Sequence, residues 1–168
     1  MISTNASTRE FGVITIAVWL PRQDDTQAVS HPTSASEGLP MSAFTDAELK
    51  YLASQPIMRF ASASLTGKPD VVPVVFSIDG NDIVTGGFDI THTVRYKNIQ
   101  TNPRATVVVD DLASLDPWSP RGLKIMGTVV VEEADGSPRF RITPEVIISW
   151  AINDTTPGIP KMERRVIG

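Results

Sequence analysis

The sequence predicts a mainly β fold, a small closed barrel of about six strands with two or three short helices at its edges. Three observations predict it. Short β-branched and apolar runs recur at fairly regular spacing from Met58 to Thr143, separated by Gly, Pro, Asn and Asp turn signals. Gly127 interrupts the longest run, as a bend in a closing barrel requires. Parallel βαβ units are not visible, and neither a G-x-G-x-x-G nor a P-loop occurs, so a doubly wound nucleotide-binding sheet lacks its fingerprint.

The elements follow in order. Residues 1–40 are rich in Ser, Thr, Pro, Gln and Asp and are expected to stand outside the fold as a disordered or non-native extension, with the domain running from 41 to 168. Their one apolar run, Phe11 to Leu20, is too short to span a bilayer and has poor signal-peptide flanks. Thr45-Asp-Ala-Glu48 is a capping box opening a helix with Leu49, Leu52 and Ala53 on its apolar side and Pro56 beyond its end. Met58–Ser64 and Asp70–Ser77 read as strands around the turn Thr66-Gly67-Lys68-Pro69. Pro73 cannot donate to a ladder, so it marks an edge or an interruption. Asp79-Gly80-Asn81 turns into a strand at Ile83–Thr85. Ala105–Val109 is a continuous apolar run of the kind buried on both faces, and Leu112–Gly122 reads as a loop carrying Trp118 between prolines. Leu123–Glu133 is a long strand and Phe140–Thr143 a short one. Pro144 sits where a last helix, PEVIISWAI, would begin, and a polar tail follows from Asn153.

Composition narrows the function. Cysteine is absent, which excludes disulfides, thiol nucleophiles and Cys-held metals, so redox chemistry needs a cofactor. A net charge of -4 argues against nucleic acid as the main partner. His31 and His92 are the only imidazoles, which excludes a multi-histidine metal site, and neither sits in a recognisable triad. A cytoplasmic protein acting on a small molecule, with no membrane partner and no metal, is expected.

The polar groups a phosphorylated cofactor needs gather between Ile83 and Asp111. Gly86-Gly87 lets the backbone turn or approach a ligand. Asp89, Thr91 and Thr93 are all good N-caps for a helix that must stop before Asn102-Pro103. With a helix start near Thr91, 100° per residue puts Thr91, Arg95 and Asn98 on one face and Thr93 and Lys97 elsewhere. Hydroxyls and an arginine at a helix N-terminus suit a phosphate. The plainer alternative is that Arg95 and Lys97 form a solvated helix face and the threonines are only caps.

The run R-x-K-N-I-x-x-N-P-R-A from Arg95 to Ala105, preceded by T-G-K-P-x-V-x-P-V from Thr66 to Val74, resembles the split β-barrel superfamily of flavin- and deazaflavin-binding, pyridoxamine 5′-phosphate oxidase-like proteins. More narrowly, Gly86–Ile90, Val108–Gly122 and Ile142–Trp150 resemble its branch of coenzyme F-420-dependent enzymes that includes dehydrotetracycline reductase. The resemblance covers about residues 44–152 and implies a six-stranded, FMN-binding-type split barrel that works as a homodimer. It carries the phosphate-binding cation onto Arg95 and a phosphate-meeting hydroxyl onto Thr93. The backbone edging the ring falls on Val72, Pro73, Val74, Thr85, Gly86 and Gly87. Trp118 and Arg121 would approach from the second protomer. Val94 departs from the pattern, since several flavin-binding relatives carry a second basic residue there; Lys97 is a badly aimed substitute.

The implied function is an oxidoreductase that passes a hydride from reduced coenzyme F-420 to an electron-poor conjugated small molecule, with no catalytic side chain assigned, because the cofactor carries the chemistry. Two rivals stand beside it: an FMN-dependent oxidase or reductase on the same fold, and a non-enzymatic cofactor-binding protein.

Overall fold

The computed structural model describes residues 42–87, 89–154 and 159–168. The 1–40 segment with its Phe11–Leu20 run, and Phe88, lie outside the described residues. The chain is mainly β, with helices α1 (Asp46–Ala53) and α2 (Val94–Thr101) and strands β1 (Met58–Ala63), β2 (Pro69–Val74), β3 (Ser77–Asp79), β4 (Asp82–Thr85), β5 (Arg104–Leu115), β6 (Trp118–Ala134), β7 (Ser137–Trp150) and β8 (Met162–Val166). All pairings are antiparallel, in the order β2-β1-β5-β6-β7-β4-β3, with β8 also on β7. Eight strands therefore stand where six were expected. The fold class holds; the extra strands are β3, beyond the break in the run expected as one strand, and β8, in the tail, and two further segments differ from the sequence reading.

One is the run after Pro144, expected as a helix. It continues β7 to Trp150, and β8 pairs with it in the tail that was expected to be irregular. Val146, Ile147 and Ile148 favour a pleated surface. Pro144 faces Gly127 at the register shift in the β6–β7 ladder, where its missing N–H interrupts little. Gly127 is the expected bulge, and its lack of a side chain is required: a Cβ there would stand 2.1 Å from the Thr143 carbonyl oxygen. Beyond β6, the other edge of β7 is divided, with β4 paired at Phe140–Ile142 and β8 at Val146–Trp150.

The other correction is that Leu112–Gly122 is a hairpin rather than a loop. The β5–β6 ladder extends to Leu115 and Trp118, with Asp116-Pro117 as the turn, joined by a cis peptide. Pro120 lies beside the irregularity at Leu112–Ser114. Within β5, Ala105, Val107 and Val109 are buried while Thr106 and Val108 are only half-buried, so the strand buries one face rather than both. The expected Asp70–Ser77 strand is two strands broken at Val75-Phe76. The first is the edge that Pro73 signalled. Thr85 Oγ1 donates to the Val75 carbonyl at 2.7 Å, tying the break to the end of β4.

The capping box is formed as expected: Glu48 N donates to Thr45 Oγ1 and Thr45 N to Glu48 Oε2, at 3.2 and 2.9 Å. The buried face of α1 is nevertheless Glu48, Tyr51 and Leu52 instead of Leu49, Leu52 and Ala53. Glu48 tolerates full burial because Arg165 donates to it at 2.6 Å besides the cap. The core is built on Phe60, Phe140, Met58, Ile83, Leu123, Ile125, Ile142 and Ile147. Among the described residues, no helix is long and apolar enough to cross a membrane.

Candidate functional site

The site starts where β4 leaves the sheet. Thr85 is paired with Phe140 of β7 and buried, and Gly86-Gly87 follow it out of the ladder. The chain then folds on itself around Asp89, whose carboxylate accepts from Thr91 N at 3.1 Å and Thr91 Oγ1 at 2.6 Å, with His92 Nδ1 at 2.8 Å. These bonds hold the exposed Asp89 carboxyl below the usual carboxylate range, the Thr91 hydroxyl contributing most. Thr91 is spent on this turn. The helix therefore starts later than expected, with Thr93 as N-cap: its Oγ1 accepts from Tyr96 N at 3.2 Å and donates to the Ile90 carbonyl at 2.6 Å.

This shift puts Arg95 in the first turn of α2, among N–H groups without intrahelical acceptors. Arg95 is half-buried. Its guanidinium carbon lies 5.8 Å from the Phe140 ring centroid, and a Cβ on Gly87 would come within 3.6 Å of its Nη2. Its Nε is the one buried side-chain polar atom without a hydrogen-bond partner among the described residues. Burial lowers its pKa, opposed by the charge of Asp70, yet a guanidinium stays charged in proteins. A half-buried cation with a buried, unused donor, lying beside Gly87 at a helix start, is the chemistry of an anion site. A phosphate fits this donor set.

The other expected residues fall into three groups. Val72, Pro73 and Val74 form the outer edge of the sheet, with Pro73 exposed and the two valines half-buried. Through Val75 they adjoin Thr85, so the ring-edging strand and the glycine pair are brought together. Lys97 is exposed and Thr91 is taken by Asp89. Trp118 lies at the tip of the β5–β6 hairpin, 66% exposed, outside its own core and beside the exposed Leu115. Arg121 belongs to a different cluster beneath α1. Its Nε and Nη2 donate to Asp111 at 2.7 and 2.9 Å, it stacks 5.2 Å from the Tyr51 ring centroid, and Gln55 also donates to Asp111. Arg121 hydrogen bonding is the main reason the Asp111 carboxyl is held low, while burial pushes the Tyr51 hydroxyl up.

The model of the pyridoxamine 5′-phosphate oxidase family matches residues 44–164. The chain belongs to this family. A 5a,11a-dehydrotetracycline/5a,11a-dehydrooxytetracycline reductase of Streptomyces rimosus is 34% identical over 128 residues, covering 69% of this chain and 89% of that protein. Membership and this reductase together support an oxidoreductase. Among solved structures, a heme binding protein from Mycobacterium smegmatis aligns with TM-score 0.57 at 14% identity, over 75% of this chain and 60% of that one. A conserved hypothetical protein from Mycobacterium tuberculosis aligns with TM-score 0.55 at 14% identity, over 65% and 86%. At such identity the two structures speak for the fold alone.

Sequence reasoning missed Phe140 and Asp70, which together with Gly87 form the surroundings of Arg95. Phe140 showed only as an apolar strand residue and Asp70 as a turn-end acid, and neither had a local signal of proximity to α2.

Proposed function

We propose that this family member is a coenzyme F-420-dependent oxidoreductase that reduces an electron-poor, conjugated small molecule. The observation that carries the reading is the unpartnered Arg95 Nε beside Gly87 at the start of α2. The relative named as a reductase of a conjugated polycycle supports the substrate class. When bound, the deazaflavin supplies the hydride.

The chain's own residues bind, orient and shield. Arg95 holds the phosphate by charge and donor, with the first-turn N–H groups of α2 adding partial positive charge. Gly86 and Gly87 leave room for close approach. Val72, Pro73 and Val74 present an edge whose backbone and apolar side chains suit the rim of a flat ring, and the buried Thr85 keeps that edge registered against β4. Thr93 offers a lone pair but no free proton, since Ile90 takes it. Its part is to fix the helix start. Two chains assemble so that the exposed Trp118 of one covers the other's ring and excludes water from the reacting face. Arg121, paired to Asp111, supports the base of that hairpin.

The test is a titration of purified protein with coenzyme F-420 and with FMN, followed by fluorescence polarisation, then turnover of reduced F-420 against quinones, enones and tetracycline-like polycycles. Tighter binding of F-420 and oxidation by at least one acceptor are expected. Tighter binding of FMN moves the assignment to a flavin enzyme; binding without turnover across the panel makes the protein a carrier.

A further inference from the structure

Helix α2 is only eight residues long, and of its side chains Ile99 and Tyr96 are the apolar ones packed on the core, so polar contacts share in fixing its rotation on the sheet. Two side-chain amides tie it to β1. Asn102, the C-cap, donates to the Ala63 carbonyl at 3.1 Å, and Asn98, one turn after Arg95, donates to Ser62 Oγ at 3.0 Å. Ser62 and Asn98 are 6% and 5% exposed, a polar pair within the apolar layer under the helix. Ser62 stands opposite Asp70 in the β1–β2 ladder, and the charge of Asp70 acts on Arg95. The hydrogen-bonded pair Asn98–Ser62 thus lies between Arg95 on α2 and Asp70 on β2 in the order of the elements.

Leucine at 98 would bury more apolar surface, whereas a buried polar pair admits one orientation and penalises the rest. We propose that the Ser62–Asn98 hydrogen bond aims Arg95, making Asn98 a positioning residue for the phosphate; this rests on the reading of that site given above. The leverage is geometric. Asn98 follows Arg95 by three residues, about 60° away around the helix axis. Rolling the helix by about 10° carries a group about 6 Å off the axis through roughly 1 Å. A displacement of that size at a bound group is enough to lose much of a directed contact. Asn102, about 20° from Arg95 around the axis but two turns along it, restrains the far end of the helix through a backbone carbonyl.

The experiment compares phosphate preference in variants. Dissociation constants are measured for two ligand pairs, FMN against riboflavin and coenzyme F-420 against its phosphate-free deazariboflavin. The FMN–riboflavin ratio reports the phosphate contact alone, and the second ratio reports it together with the tail the phosphate carries. Asn98→Leu and Ser62→Ala are each expected to shrink the first ratio about tenfold, as loss of a charge-assisted contact would, while Asn102→Ala lowers the melting temperature and keeps the ratio. Arg95→Ala combined with Asn98→Leu should be no worse than Arg95→Ala alone. Should Asn98→Leu fail to fold, Ser62→Ala, which removes one acceptor atom from beneath the same amide, decides the matter. Equal weakening of both members of each pair overturns the proposal, because a merely structural role moves them together. Wild-type protein without phosphate preference in either pair refutes the phosphate site itself and this inference with it, an outcome distinct from the former.

Discussion

Replacing Arg95 with alanine separates binding from folding. In the folded chain the Arg95 side chain gains a cation–π contact with Phe140, about 0.5–1 kcal/mol at a partly exposed site. Against that stands a buried donor without a partner, a cost of about 1–3 kcal/mol. Alanine is a good residue for the first turn of a helix. The truncated chain should therefore melt at or slightly above the wild-type temperature. Binding behaves oppositely: a charge-assisted contact to phosphate contributes about 1.5–3 kcal/mol, which is roughly a tenfold to hundredfold rise in Kd. Arg95→Lys should fall between, since it keeps the charge but not the planar fork. Lys97→Ala, at an exposed position, should change Kd less than about twofold. Titration with coenzyme F-420 and a thermal melt on the same samples check both halves. A melting temperature that falls in step with affinity would make Arg95 a structural residue, and a larger loss from Lys97→Ala would show that the phosphate lies on another face of α2.

Other outcomes test the fold and the assembly. Gly127→Ala forces a Cβ against the Thr143 carbonyl and should cost about 3 kcal/mol, the upper part of the range for overpacking, because backbone must move; urea denaturation within about 0.5 kcal/mol of wild type would contradict the bulge geometry. Asp111 is depressed in the folded chain chiefly by Arg121, so its contribution is present above the unfolded value of about 3.9 and is lost as pH falls through the lower folded value. Wild type should then lose stability more steeply in acid than Asp111→Asn, which starts lower at neutral pH; parallel acid-unfolding curves would remove Asp111 from the account. Trp118→Ala should weaken dimerisation and coenzyme binding together, by about 2 kcal/mol or more for a central interface aromatic, measured by sedimentation and titration, and a fully competent monomer would end the two-chain reading.

What was legible in the sequence was local. The Thr45–Glu48 capping box, the edge at Pro73 and the turn at Gly80 each depend on a residue's own backbone or on neighbours within one turn, and the bulge at Gly127 showed as a glycine inside a strand run. What was not legible depended on partners far along the chain. Glu48 is buried because Arg165 reaches it across 117 residues, so the helix pattern alone chose the wrong face. Proline followed by an apolar run at 144–150 fits a helix start locally, and only the ladder with β6, opposite Gly127, turns it into a strand. The site divides the same way. Arg95 was visible from the helix start and from the family resemblance. The extra cap competition from Asp89, which consumes Thr91 and moves the start to Thr93, was a choice among three equally good caps that only the folded loop resolves.

The barrel's irregularity and the candidate site lie at opposite ends of the β4–β7 ladder. Near the Gly127–Pro144 irregularity, the edge of β7 passes from β4, which pairs only at Phe140–Ile142, to β8, which starts at Val146. At the other end of that short ladder Thr85 is the last paired residue of β4, and its partner is Phe140. The chain leaves the sheet opposite Phe140, turns through Gly86-Gly87 and the Asp89 loop, and returns with Arg95 over the ring of that same Phe140. Phe140 is in turn held by Phe60 at 5.5 Å and Tyr96 at 6.4 Å between ring centroids. One aromatic residue fixes both ends of the excursion, which keeps Gly87 and the guanidinium together although seven residues lie between Gly87 and Arg95 in sequence. A continuous β4–β7 ladder would have carried Gly86 and Gly87 into the sheet and left no backbone free to meet a ligand.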